Sequence, residues 1–455
     1  MVNELVRRRD SRRGTTRRLT GPSWVLAVLM ACATVAEAAP PAADRPPGSI
    51  PPPPPRRIVA IDLGDSTLDL ERLERAVLER NPTLAAARAA VDEARARADR
   101  AGALEPPMLD AMVAPRSLGS DNVDAGYRIG LTQRLPLFGQ RGLERRASRE
   151  GIPVAEAQAA VERLELLSET RAAFFQYYRV ARARQTNEEQ TALVDLLRRS
   201  ALARYSAGTA EQSDPLQAEV ERAMLEHDAA VLERERIVAE ARINTLLHRA
   251  PADPLPDPPS ALSVPDSIAQ GVGFAIAVRP ELRMAAAEVE VGRVRVALAK
   301  RERLPMTAFG AAYDRFWTEP ELRGTVSVSI DLPLDQGRRG ASVREAEAAL
   351  RNAELRREAL EDRVRLEVRS AVARLQESRH EVEILRDRLM PVSERALRAA
   401  RVAYEANRGS LAALLDAARA WRRARLELHH TLATAAEAHA DLERALGTDH
   451  IGGAR

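Results

Sequence analysis

The chain has a single cysteine, Cys32, in 455 residues. An internal disulfide is therefore excluded, as is a metal site built from several thiolates. Aromatic residues make up only 3%, too few for a large aromatic core. An excess of one charge is also lacking. The 69 basic residues against 66 acidic ones leave +3, which gives no case for nucleic-acid binding. Beyond the N-terminal region, no run is apolar and long enough for a transmembrane helix. No phosphate loop, nucleophile motif or Cys/His cluster stands out. No cofactor is expected, and the chain is not expected to be an enzyme.

What is present is helical periodicity. Ala, Arg, Glu and Leu dominate, and 30% of residues are charged, a composition of long helices. From Ala341 to Leu446 the sequence predicts one long helix, a turn and a helix running back. Val364, Val368, Ala371, Leu375, Ser378, Val382, Leu385, Leu389, Val392, Ala396, Ala399 and Ala403 follow an unbroken four-three spacing, the mark of a coiled-coil seam. A second ladder runs from Leu414 through Ala418, Trp421, Arg425, Leu428, Leu432, Ala435, His439 and Leu442 to Leu446. The turn is expected at Asn407-Arg408-Gly409, where Asn and Gly tolerate positive φ. Pro391 interrupts the first ladder and predicts a kink. The outward helix would be roughly 90 Å long at ~1.5 Å per residue.

The chain reads in segments. Basic residues precede an apolar run from Trp24 to Ala36 and then small residues, so residues 1–38 are expected to be a signal peptide. That run is too short to span a bilayer as a helix. Leu29-Met30-Ala31-Cys32 resembles a lipobox, making Cys32 a candidate for lipidation. Cleavage after Ala38 would instead discard it. Residues 39–65 are a Pro-rich spacer, with structure expected from about Ser66. A first repeat (66–250), a Pro-rich linker (251–265), a second repeat (266–447) and a tail (448–455) follow.

Each repeat has the same order. Helices break at Asn81-Pro82 and at Arg279-Pro280. Tyr127 to Leu135 and Thr325 to Leu332 alternate as two-faced strands, each followed by proline. Met108–Pro115 and Met306–Tyr313 are the expected hairpin partners. A long helix, a turn near Ser206-Ala207-Gly208 or Gly409, and a return helix complete each copy. The offset between copies stays at 197 to 201 residues, far longer than a short solenoid repeat. Four short strands cannot close a barrel alone, and an open sheet edge cannot sit in lipid.

The duplicated order resembles the TolC-like outer-membrane efflux protein family. The matching stretches are Arg80-Asn81-Pro82-Thr83-Leu84 with Arg279-Pro280-Glu281-Leu282, Gln133 to Arg141, Ala203 to Gly208, and Ala403-Tyr404 running into Leu415-Asp416-Ala417. Pro136-Leu137-Phe138-Gly139-Gln140-Arg141 looks most like the heavy-metal efflux branch. The resemblance implies a mainly α fold with a small β part, made of two tandem repeats of long antiparallel coiled-coil helices and two β-hairpins. It also implies a homotrimer in the outer membrane, closing as a twelve-stranded barrel with a twelve-helix periplasmic tunnel. The partners implied are a periplasmic adaptor, an inner-membrane pump and outer-membrane lipid. The function implied is passive conduction of metal cations or small toxic compounds.

On that resemblance, Asp416 is an aperture acid, with Asp214 in the comparable region of the first copy. The family's second acid is replaced by Ala413. Tyr205, Gly208, Tyr404 and Gly409 mark the tips where an adaptor would dock. Two other readings compete with it. A periplasmic coiled-coil adaptor or scaffold explains the hairpins but not the paired strands. A metal bundle would use Glu377 and His380 with Glu427 and His430. Folding the hairpin leaves those motifs roughly 10 Å out of level.

Overall fold

The computed structural model describes residues 67–114, 126–263, 272–317 and 319–448. The expected signal peptide, the Pro-rich spacer, Cys32 and Ser66 lie outside the described residues. So do most of the loop after β1 and the end of the tail. Helices α1 (Leu70–Arg80) and α2 (Pro82–Arg100) lead into strands β1 (Met108–Val113) and β2 (Tyr127–Leu135). Helices α3 (Gln140–Ser206) and α4 (Ser213–Leu246) complete the first round. The order recurs as α5 (Val272–Val278), α6 (Pro280–Arg301), β3 (Met306–Asp314), β4 (Gly324–Asp331), α7 (Gln336–Ile384), α8 (Met390–Glu405) and α9 (Leu411–Leu446). With 67 residues, α3 is about 100 Å long at 1.5 Å per residue. Among the described residues, no helix is long and apolar enough to cross a membrane.

Local chemistry sets the breaks. The cap of α1 is Asp69, whose carboxylate accepts from Glu71 N at 2.8 Å and Arg72 N at 3.4 Å. Asn81 does two jobs. It is extended before Pro82 and accepts from Thr83 N at 2.9 Å, capping α2. Its amide also donates to Leu246 O at 3.1 Å, holding the end of α4. Arg279 takes the corresponding place in the second copy. Its guanidinium is buried between Glu281 and Glu367, at 3.0 and 2.5 Å. Its backbone leaves no room for a Cβ on Gly447, which ends α9 at φ +76°.

The four strands form one sheet in the order β1-β2-β3-β4. β1 and β2 pair antiparallel, with Leu109 opposite Leu131 and Asp110 opposite Gly130. Directly opposed residues share a face. Leu109, Ala111, Val113, Tyr127, Ile129 and Leu131 therefore lie on one side. Met108, Asp110, Met112, Arg128, Gly130 and Thr132 lie on the other. Among the described residues, the edge strands β1 and β4 have no further strand beyond them. Residues 106–114, 126–133, 309–317 and 319–328 make a compact unit of their own, and the helices make a second.

In the helical unit, α3 packs along α2, α4 and α6, and α7 packs along α6 and α9. The largest core joins Leu73, Val77, Phe174, Tyr178, Ile243 and Leu247. The Pro-rich segment after α4 is part of this structure. Thr67 bridges Asp257, Leu68 N donates to Asp257 O at 2.7 Å, and Leu255 and Leu262 pack on the core. One buried arginine ties three helices together. Arg171 of α3 contacts Glu74 of α1 at 2.6 Å and Glu443 of α9 at 2.5 Å.

The expected seam needs one correction. Its first part is buried as read, from Val364 through Val382 to Leu385. Residues Leu385–Leu389 then form a π-turn, closed by Met390 N donating to Leu385 O. The wide turn inserts one residue. Leu389 at its end and Val392 beyond it are exposed, and Ser393, Leu397, Ala400 and Tyr404 face inward instead. Pro391 sits directly after the turn and offers no N–H to the carbonyl four residues back. A π-turn absorbs that missing bond.

Candidate functional site at the helix tips

The two tip turns share one geometry, set by backbone bonds. In the first, Gly208 N donates to Tyr205 O at 3.0 Å and Thr209 N to Arg204 O at 2.9 Å. In the second, Asn407 N donates to Tyr404 O at 3.1 Å and Arg408 N to Ala403 O at 2.8 Å. These paired bonds close a helix on a left-handed residue. Gly208 takes φ +68° and Asn407 takes φ +57°. The counterpart of Gly208 is thus Asn407, not Gly409 as the sequence suggested. Gly409 serves a close approach, because a Cβ there would lie 3.1 Å from the Ala403 Cβ. Ser410 caps α9 through Ala413 N at 3.2 Å.

The tip tyrosines differ. Tyr205 is 42% exposed and Tyr404 only 4%. The Arg204 guanidinium lies 4.3 Å from the Tyr404 ring centre and donates to Tyr404 O at 3.1 Å. Tyr404 packs with Val194, Leu197, Leu411, Leu414 and Leu415 in a tip core. A stacked cation and this packing fix the turns to each other.

Asp214 and Asp416 lie near the starts of α4 and α9. Asp214 is half-buried in the first turn of α4, whose cap position is Gln212 with no side-chain bond. An acid there complements the helix dipole. Asp416 is exposed and meets Arg419 at 3.0 Å. Arg419 reaches across to the buried Glu221 of α4 at 2.7 Å. That hydrogen bond pushes the guanidinium pKa further up, against the opposing effect of burial. One turn on, Arg422 bridges to Asp228 and donates to Asn187 Oδ1 at 3.3 Å. Arg425 then pairs with Glu189 of α3. Three arginines of α9 thus lace it to its neighbours, Arg419 to α4, Arg422 to both α4 and α3, and Arg425 to α3.

Periodicity did not reveal this ladder. The repeat offset carried a signal, because Glu221 and Arg419 are separated by 198 residues. They are equivalent positions of opposite charge on the two return helices.

The histidines take other places. His380 is exposed beside Glu383 at 3.7 Å. His429 is half-buried, and its Nδ1 is 3.1 Å from the Tyr178 hydroxyl. Burial, with Arg425 and Arg182, pushes its pKa down to about 4. Among the described residues, no group of three or more His, Cys, Asp or Glu side chains is placed to hold a metal.

The profile of the outer membrane efflux protein family matches residues 73–248 and again 272–448. The chain belongs to this family. Two tandem efflux-protein segments account for most of its length, and each carries one hairpin and one pair of long helices. The comparison with curated protein sequences gives no significant match. Solved channels share the fold. The Vibrio cholerae outer membrane protein VceC is 18% identical with a TM-score of 0.72, covering 83% of this chain and 96% of its own. CusC, in a study of folding and transmembrane channel formation, is 18% identical at 0.73, covering 83% and 92%. The open state of the Neisseria gonorrhoeae channel MtrE is 24% identical at 0.68, covering 83% and 89%. This chain is therefore an outer-membrane efflux protein with the fold of these channels. The family assignment displaces the scaffold reading, which left the strands unexplained.

Proposed function

We propose that this efflux protein works as a homotrimer, three four-stranded sheets closing a twelve-stranded barrel and the long helices closing a twelve-helix tunnel. One observation carries the reading. The sheet has two open edges, and Leu109, Met112, Val326, Val328 and Ile330 stand exposed on it. Open edges and bare backbone are not tolerated in hydrocarbon, and closure with further copies satisfies them. Leu202, Leu216, Val220 and Met224, with Leu355, Leu366 and Val402, are likewise exposed on single helices. Neighbouring copies would cover them.

In this reading, conduction is passive and the energy comes from an inner-membrane pump joined through a periplasmic adaptor. The tips would offer Tyr205, Gly208 and Gly409 to the adaptor, with Tyr404 packed behind them as a brace. Asp416 and Asp214 would ring the aperture three-fold and favour cations, since repeated charges in a narrow mouth focus the potential. Cargo would be metal cations or small toxic compounds. Arg419 tempers Asp416 and leaves a moderate preference. Cys32 would anchor the chain if retained and lipidated. The test is bilayer conductance across a salt gradient. Asp416→Asn should shift the reversal potential toward non-selectivity, with a smaller shift for Asp214→Asn. Unchanged selectivity in both would remove the aperture role. A soluble monomer in the periplasmic fraction would remove the channel reading itself.

A further inference from the structure

At the barrel-side ends of the helices, four stretches of chain meet at one level. Gln140 Nε2 donates to Arg301 O at 3.1 Å, and Arg141 Nε to Gly102 O at 3.0 Å. Arg339 donates to Glu302 O. A Cβ on Gly102 would lie 3.4 Å from the Arg145 Cβ. The stretches 97–105, 134–146, 300–303 and 331–339 together carry eleven basic and six acidic residues, whereas the whole chain is nearly neutral at +3. Arg145, Arg301 and Arg303 are exposed and have no ion-pair partner among the described residues.

The same level carries bare apolar side chains. Leu137, Phe138, Leu332 and Leu334 are 58%, 41%, 68% and 87% exposed. They belong to the two Leu-Pro-Leu corners where strand becomes helix. Proline stops the sheet ladder there, and Leu137, Leu332 and Leu334 beside it stand exposed. Apolar side chains beside unpaired arginines form the pattern of a membrane interface. The leucines enter the acyl region, and the long arginines reach the phosphates.

We infer that this junction is a lipid-binding belt. Leu137, Phe138, Leu332 and Leu334 dip into the periplasmic leaflet, while Arg145, Arg301 and Arg303 bind its anionic glycerophospholipid phosphates. The belt sets the depth at which barrel gives way to tunnel. The inference rests on the channel reading above and deepens it. Charge complementarity argues for the occupant, together with continuity with a sheet that belongs in the outer membrane. A neighbouring copy is the rival occupant.

The test uses the full chain with Cys32→Ser and Leu334→Cys carrying a fluorescent label. It is reconstituted in phosphatidylcholine vesicles with or without phosphatidylglycerol. Lipids brominated high on the acyl chain should quench the label, and lipids brominated at the chain end should quench it less. Phosphatidylglycerol should raise vesicle insertion. A basic residue at an anionic surface is worth roughly fivefold in partitioning. The triple variant Arg145→Gln, Arg301→Gln, Arg303→Gln should therefore lose that gain by on the order of tenfold or more. The corresponding lysine triple variant should keep it, which separates charge from folding damage. A label that stays unquenched and cross-links to a second copy would overturn the belt in favour of a protein contact. Equal phosphatidylglycerol dependence in the parent and the glutamine variant would overturn the phosphate role. Ion conduction, recorded in the same vesicles, distinguishes the two levels. Conduction with either negative result leaves the channel standing, whereas no conduction by the parent sinks the channel itself.

Discussion

Replacing Arg171 by methionine should cost this efflux protein more than any single surface charge. The guanidinium is 6% exposed and lies between Glu74 and Glu443, themselves 10% and 7% exposed. The two contacts, at 2.6 and 2.5 Å, join α1, α3 and α9, so one side chain ties elements from both copies. Methionine fills most of the volume but leaves two buried carboxylates facing each other. Breaking a buried pair in this way costs roughly 3–5 kcal/mol, mainly because the stranded charge has lost its partner. Surface pairs such as Arg95 with Glu156, about half exposed on each side, are worth at most about 1 kcal/mol. The assay is urea unfolding of the detergent-extracted protein, followed by helical circular dichroism. The triple variant Glu74→Gln, Arg171→Met, Glu443→Gln removes the stranded charges and should recover most of the loss. The reasoning is refuted if Arg171→Met unfolds within about 1 kcal/mol of the parent, or if the triple variant is no more stable than the single one.

Four further outcomes are expected. His429 is held neutral by burial, with its pKa down at about 4 against an ordinary 6.5, so the unfolded chain takes up this proton first as pH falls. Its contribution is whole above about pH 6.5 and is lost toward pH 4. After allowance for partial solvent exposure, that is about 1–2 kcal/mol. His429→Gln should flatten the fall in melting temperature between pH 7 and pH 5, and an unaltered pH profile would count against this assignment. Gly447→Ala should destabilise by about 2 kcal/mol, because it combines a left-handed backbone with a Cβ 2.9 Å from the Arg279 Cγ; thermal melting reads this. Asn407→Gly should be neutral or stabilising by up to ~1 kcal/mol, while Asn407→Val should destabilise the tip, with protease nicking of the turn as the readout. In Pro391→Ala, a cysteine at 393 should stay protected from thiol reagents and one at 392 accessible. Leu397 and Tyr404 bury more apolar surface than the alanines that would replace them after a one-residue slip.

The sequence by itself determined the periodic features. The four-three spacing, the alternating strands, the Asn-Pro and Arg-Pro breaks and the doubled order were legible because each depends on neighbours along the chain. Strand ends at Tyr127 and Leu135 and the return helix ending at Leu446 were read directly. The family resemblance followed from that order. Tertiary structure alone decided the rest. The seam past Leu385 shifts by one residue because a π-turn forms where Leu397 and Tyr404 find their pocket. Arg171 and Arg419 gain their partners only when α1, α3, α4 and α9 come together. β2 and β3 lie side by side because the two copies meet through their hairpins. Contacts of this kind join residues far apart in the chain, and no local pattern encodes which distant charge or strand edge lies opposite.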